Sequence, residues 1–271
     1  CRTVSLLAGV STIAVAFRTV RTPLFPREAA DTRLSGELRY GVELTRLIAS
    51  REFLRPARRT SGPPVLLIPG LMAGDQSLAV MAGWLRRQGV PTQSAGIWLN
   101  VDCAERGMGA LQARLRSLAD EAGRPVVLVG QSRGGEQARV LAARNPELVS
   151  TLVMLGSPVV DPLHVASVVL NTVRSVARLG DLGIPGLFSS ECGDGDCCAE
   201  FRRHLGGPMP PAVRAVSVYS RSDGIVSWRA CLDPSAEHVE VDSSHGGMSV
   251  NLEVYRLLAG ILDGEEDQWT G

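Results

Sequence analysis

Short apolar runs alternate with amphipathic stretches along most of the chain. Residues 65–68, 126–129 and 151–155 are rich in Val, Leu and Ile, the pattern of strands that are buried on both faces of a sheet. Further strands are predicted over residues 92–99, 213–219 and 238–241.

Between these runs, apolar residues recur every three or four positions, which predicts helices with one buried face. Such helices are predicted around Leu38, Val42, Leu47 and Ile48 and over residues 76–88, 108–122, 136–144, 164–179 and 252–262. Strands that alternate with helices predict an α/β fold, with a mostly parallel sheet covered by helices on both faces.

The alternation also predicts how the chain is divided. Residues 1–64 form a helical and linker segment that packs on the domain or anchors it, 65–262 form the α/β domain, and 263–271 form a tail. Residues 160–211 interrupt the rhythm with an apolar helix and then a stretch rich in Gly, Pro and Cys. We interpret that stretch as a helical lid inserted over the site.

The amino end carries an apolar stretch between Arg2 and Arg18 that is 14 residues long, which is short for a membrane-spanning helix. A packed or surface-lying helix, an export signal ending at Ala14-Val15-Ala16 and a membrane anchor all remain open. Membrane contact through this segment is therefore one alternative, and exported, membrane-associated and cytoplasmic locations are left undecided.

Charge excludes some classes of function. The chain has 28 basic and 28 acidic residues, so no net field recruits nucleic acid, and no nucleic-acid partner is predicted. Every basic residue is Arg, and the absence of Lys excludes Schiff-base and Ser-Lys chemistry.

The strongest candidate for chemistry is the pentapeptide Gly130-Gln131-Ser132-Arg133-Gly134, which lies between a predicted strand and a predicted helix. A serine on such a tight turn has its hydroxyl exposed above the sheet, and the glycines let strand and helix approach. The first N–H groups of the helix point toward the charge that develops during acyl transfer. The arrangement predicts a nucleophile.

A serine nucleophile needs a base, and the chain offers four histidines. His245 follows the last predicted strand in a polar, glycine-bearing loop, where a parallel sheet presents its site residues. Asp223 follows the strand before it and is the favoured acid, with Asp161 as the competitor. The resulting order is Ser, Asp, His.

Four segments together resemble the serine α/β-hydrolase superfamily, especially its lipase-like and esterase-like members: 66–70 (LLIPG), 130–134 (GQSRG), 219–226 (YSRSDGIV) and 244–246 (SHG). The resemblance covers about residues 65–262 and implies the α/β-hydrolase fold with an inserted lid. It implies Ser132 as nucleophile, His245 as base and Asp223 as acid, with the N–H groups of Leu71 and Arg133 as oxyanion hole. Pro69-Gly70 departs from the His-Gly pair of many relatives.

The function expected from these residues is the cleavage of carboxylic esters through an acyl-enzyme, with a small-molecule ester or acyl compound as substrate. An acyltransferase or a thioesterase using the same triad, and a non-catalytic binding protein on the same fold, are the alternatives. The candidate substrate-contacting residues are Met72, Gln131, Val160, Val165, Val169 and Met248.

The cysteines suggest an alternative interpretation, a metal-binding protein. Cys192, Cys197, Cys198 and Cys231, with His204 nearby, lack the paired CxxC spacing of zinc sites, so neither a metal nor a cofactor is predicted. A disulfide through Cys231 and free buried thiols are both left open. Cys103 has no obvious mate in the sequence.

Overall fold

The apolar runs form one sheet of six parallel strands. The structure is a computed structural model that describes residues 34–54 and 62–264 of the chain. Its strands are β1 (Val65–Ile68), β2 (Thr92–Ser94), β3 (Val126–Gln131), β4 (Val149–Leu155), β5 (Arg214–Tyr219) and β6 (Glu237–Glu240). Their order in the sheet is β2-β1-β3-β4-β5-β6, and every neighbouring pair is parallel.

Helices connect and cover the strands, and the apolar periodicity predicts those of nine residues or more. They are α1 (Tyr40–Ile48), α2 (Arg51–Leu54), α3 (Ala79–Arg87), α4 (Ala104–Ala122), α5 (Arg133–Arg144), α6 (Ser167–Asp181), α7 (Glu191–Asp194), α8 (Ala199–Gly206) and α9 (Leu252–Asp263). Short 3-10 helices cover Leu34–Arg39, Asp75–Leu78, Asp196–Cys198, Trp228–Cys231 and Gly246–Val250.

Both faces of the sheet are covered, which confirms the predicted fold class. Leu66 and Leu128 pack on one face in a core that α4, α5 and α8 complete. Leu67 and Val129, one position along each strand, pack on the other face against residues of α1, α3 and α9. This alternation explains why β1 and the first four residues of β3 are apolar at every position.

The predicted strand over 92–99 is wrong beyond Ser94. Gly96 adopts a φ of 76°, which extended backbone does not allow, and its N–H donates to Asp75 Oδ2 at 2.8 Å. The chain turns away from the sheet there, and Trp98 is left 86% exposed.

The segment before β1 lies against the domain where it is described. Leu47 of α1 is fully buried in the same core as α3 and α9, and Trp84 Nε1 donates to the Glu52 carbonyl at 3.0 Å. The apolar stretch between Arg2 and Arg18 lies outside the described residues. No helix within 34–54 or 62–264 combines the length and apolar character needed to cross a bilayer. The boundaries at 64 and 262 stay a prediction.

The segment predicted as a lid contains α6, α7 and α8. Its start is tied to the loop after β5, because Val165 forms an antiparallel bridge with Val226 and the Ala166 N–H donates to the Ile225 carbonyl at 2.7 Å. The start of α6 is therefore held against that loop.

Candidate active site

Ser132 occupies the sharp turn between β3 and α5. Its backbone has φ 52° and ψ −124°, a strained conformation for a residue with a side chain. The turn is sterically possible because the residues two positions before and after Ser132 are glycines. A Cβ on Gly130 would collide with the backbone of Gly134, and a Cβ on Gly134 would collide with the Ile68 carbonyl. The turn thus has the geometry predicted from the pentapeptide.

Asp223 and His245 meet at the carboxyl edge of the sheet. His245 Nδ1 lies 2.7 Å from Asp223 Oδ2, and the Asp223 side chain is 2% exposed. Its other oxygen, Oδ1, accepts the N–H groups of Ile225 and Val226 at 2.8 Å each. These two hydrogen bonds fix the orientation of the carboxylate independently of its contact with the imidazole.

Asp161, the competing acid, does not contact His245. It is exposed, and its Oδ1 accepts the N–H of Leu163 at 3.3 Å within its own turn. Of the two carboxylates, only Asp223 lies within hydrogen-bonding distance of the imidazole.

The pKa of His245 is raised above its ordinary value of 6.5. Burial alone would lower it, because the charged imidazolium loses water. The negative charge of Asp223, its hydrogen bond to Nδ1 and the charge of Glu37 outweigh burial. The site therefore stabilises the imidazolium form.

Ser132 and His245 line one cavity. Among the described residues, no hydrogen bond within 3.5 Å joins Ser132 Oγ to the imidazole of His245. Contacts of this kind are often loose in an empty site and tighten when substrate binds.

Two backbone N–H groups beside Ser132 are free of backbone acceptors in the described structure, those of Leu71 and Arg133. A Cβ on Gly70 would lie 3.3 Å from Ser132 Cβ, so the loop carrying Leu71 passes close to the serine. Both residues line the cavity.

Asn100 orders the loop that carries Leu71. Its Nδ2 donates to the Pro69 carbonyl at 2.8 Å, and its own carbonyl accepts the Met72 N–H at 3.3 Å. It is 3% exposed. Sequence reasoning missed this residue, which orders the loop that follows Pro69-Gly70.

The cavity has a volume of about 770 Å³ and is mainly apolar. It is lined by four of the predicted substrate-contacting residues: Met72, Gln131, Val165 and Val169. Val160 and Met248 do not line it. Val160 is 56% exposed on the outer side, and Met248 is fully buried in the core behind His245.

Glu136 of α5 is a buried carboxyl group in the cavity wall. Burial raises its pKa to about 8, and the positive charge of Arg133 opposes that rise. Glu136 is therefore mainly neutral at pH 7 and adds little negative charge to its part of the wall.

Acidic residues from the segment before β1 hold the loops of Asp223 and His245 together. Glu37 accepts the N–H groups of His245 at 2.8 Å and of Gly224 and Gly246 at 3.1 Å each. In α1, Glu43 is buried and accepts both the N–H and the hydroxyl of Ser244 at 2.8 Å each. These contacts join residues about 200 positions apart, and no local pattern indicates them.

The cysteines are grouped differently from the sequence interpretation. The five in the described residues are free thiols, and Cys231 packs with Val165 and Leu170, apart from the others. His204 does not belong to the cysteine group either, and its Nδ1 contacts the carbonyl of Glu200. Cys103 instead joins Cys192, Cys197 and Cys198 in one cluster.

The sequence matches no protein-family model and no curated protein. Solved structures are similar in fold. A lipase of Bacillus licheniformis in its mature form has a TM-score of 0.56 and 14% identity, over 76% of this chain and 95% of its own. A soluble variant of monoglyceride lipase from Saccharomyces cerevisiae has 0.55 and 13%, over 79% and 91%. A structure from a study of two metagenome-derived lipolytic enzymes has 0.52 and 16%, over 74% and 94%.

Proposed function

The chain has the α/β-hydrolase fold, and on this scaffold we propose that it is a serine hydrolase that cleaves carboxylic esters. The observation that carries the proposal is the shared cavity. Strained Ser132 opens on it together with His245, whose imidazole is hydrogen-bonded to buried Asp223.

In the proposed reaction, Ser132 Oγ attacks the ester carbonyl carbon while His245 Nε2 takes the hydroxyl proton. Asp223 stabilises the imidazolium through Nδ1. The imidazolium then gives its proton to the departing alcohol, which leaves an acyl group on Ser132. Water attacks this acyl-enzyme, with His245 again as base, and releases the acid.

The oxygen of the tetrahedral intermediate would accept hydrogen bonds from the N–H groups of Leu71 and Arg133. One such donor contributes about 3 kcal/mol to the transition state. Ser132 precedes the first turn of α5, so the positive end of that helix adds to the same effect.

The cavity supports an apolar acyl group of short to medium length. Four apolar residues of the predicted lid line it: Val165, Val169, Val173 and Phe188. Its volume of about 770 Å³ is in the usual range of small-molecule sites. Chromogenic esters of graded acyl length test this. The proposal requires hydrolysis that peaks within that range, and no hydrolysis of any length would contradict it.

The same residues could pass the acyl group to another alcohol or to an amine, and a thioester could replace the ester as donor. Product analysis with competing nucleophiles separates these activities. Ester hydrolysis requires the free acid as the main product, whereas a dominant transfer product would make the protein an acyltransferase.

The pH profile of kcat/KM should show the raised pKa of His245. The base acts only when neutral, so activity is lost as pH falls through this pKa, and the acid limb should have its midpoint above 6.5. Asp223→Asn should move the midpoint down, because burial then acts without the opposing charge. A wild-type midpoint at or below 6.5 would contradict the assignment of His245.

Glu37→Gln should lower kcat about tenfold with a smaller effect on KM, because the amide retains only part of the three charged hydrogen bonds that position the loops. The acid limb should also shift to lower pH, since the charge of Glu37 helps to raise the pKa of His245. Glu147→Gln, at an exposed position after α5, is the matched control. Equal pH profiles for wild type and Glu37→Gln would argue against the positioning role.

A further inference from the structure

Four thiols meet where the lid contacts the body of the domain. The sulfur atoms of Cys103, Cys192, Cys197 and Cys198 all lie within 4.8 Å of one another. Separations within the group are 3.4 Å for Cys103 and Cys198, and 3.7 Å for Cys197 with both Cys192 and Cys198.

These separations match a tetrahedral metal site. Four sulfurs at about 2.3 Å from a zinc ion lie about 3.8 Å apart, close to the spacing of this cluster. Four thiolates in this arrangement select zinc over the hard cations magnesium and calcium. The cluster needs only small shifts to surround one ion.

Two helix amino ends and one arginine lie beside the cluster. Cys103 and Cys198 occupy the N-cap positions of α4 and α8, so two of the four residues lie at positive helix ends. Arg202 donates to the carbonyls of Cys192 and Gly195, which brings a guanidinium group beside the cluster. A zinc ion with four thiolates carries a net negative charge, and these groups offset it.

We propose that Cys103, Cys192, Cys197 and Cys198 bind one zinc ion as a structural site. Zinc binding displaces the thiol protons to solvent, and no electron is transferred. Since all four positions are taken by protein ligands, the ion has no open position and takes no part in ester cleavage.

The site would fix the wall of the substrate cavity. Cys103 precedes α4 in the body, whereas the other three cysteines lie in the segment that carries α7 and α8. Cys192 and Cys198 also line the cavity, together with Phe201 and Leu205 of α8. A zinc ion would therefore cross-link the lid to the body and set the shape of the acyl pocket.

Metal analysis of the intact protein tests the proposal. The protein is expressed in zinc-supplemented medium and purified without chelator. Inductively coupled plasma mass spectrometry should then find one zinc ion per chain. Cys197→Ser should reduce zinc to the level of the buffer blank; this thiol is exposed, so its replacement disturbs packing least. Cys231→Ser, at a thiol outside the cluster, should retain the full zinc content.

A second measurement on the wild type does not depend on any variant folding. Titration with an organomercurial reagent should release zinc in step with thiol modification, and cobalt added to metal-free protein should give the visible bands of tetrahedral thiolate coordination. Metal-free protein with reactive thiols would overturn the proposal. So would an intact mass that shows disulfides among these cysteines, or iron in place of zinc.

Discussion

Replacing Ser132 by alanine should lower kcat for ester hydrolysis by about 10⁶-fold, the loss seen when a triad nucleophile is removed. The physical reason is that no acyl-enzyme can form without the hydroxyl. Residual turnover would come from the oxyanion N–H groups and binding alone. The substitution removes one atom at an unchanged backbone conformation, so the thermal unfolding midpoint should stay close to that of the wild type.

Ser190→Ala is a suitable control for this prediction. Ser190 lines the same cavity, but its hydroxyl donates to Asp181 and it does not lie on the strained turn. Its loss should change kcat only a few-fold, on the order of a surface hydrogen bond. Equal activity in Ser132→Ala and wild type, measured with the same chromogenic ester, would show that the hydrolysis does not depend on Ser132.

Asp223→Asn should lower kcat by about 10⁴-fold, less than the loss of the nucleophile. An asparagine at this position keeps the shape but favours the wrong tautomer of His245 and gives no charge to stabilise the imidazolium. The N–H groups of Ile225 and Val226 still find an acceptor in the amide oxygen, so the loop should keep its conformation.

Asp161→Asn is the matched control for the acid. Asp161 also lines the cavity but accepts a hydrogen bond only within its own turn. Its replacement should leave kcat within a few-fold of wild type, as expected for an exposed group. The reverse ranking of the two variants would move the acid role to Asp161.

The sharp turn at Ser132 and the sheet could be predicted from sequence because their signals are local. Four apolar residues before Gly130 indicate a buried strand, and the glycines indicate the tight turn. After the turn, apolar residues recur at helical spacing, which indicates the helix that follows. Asp223 and His245 were found through topology, since residues that follow parallel strands collect at one edge of the sheet.

The contacts that sequence reasoning missed join distant positions. Glu37 and Glu43 look like solvated helix charges, yet their carboxylates hold the backbone of the loop around His245. Cys103 lies 95 positions from Cys198, and no spacing rule pairs them. Both cases depend on tertiary contacts, which the spacing of apolar residues along the chain does not reveal.

Two candidate substrate residues, Val160 and Met248, lie outside the cavity for a related reason. Met248 follows His245 by three residues, but a 3-10 helix turns its side chain into the core. Val160 lies five residues after the end of β4, in an irregular stretch where its side chain is exposed to solvent. Proximity in sequence to a site residue does not determine which way a side chain faces.

Labelling with a fluorophosphonate tests the central claim most directly, because the reagent reacts with a serine only when a base activates it. Peptide mass spectrometry of the folded protein should place one adduct on Ser132, and His245→Ala should abolish labelling while the protein remains folded. Folded wild-type protein that carries no adduct on Ser132 would contradict an activated nucleophile and favour a binding protein on the same scaffold.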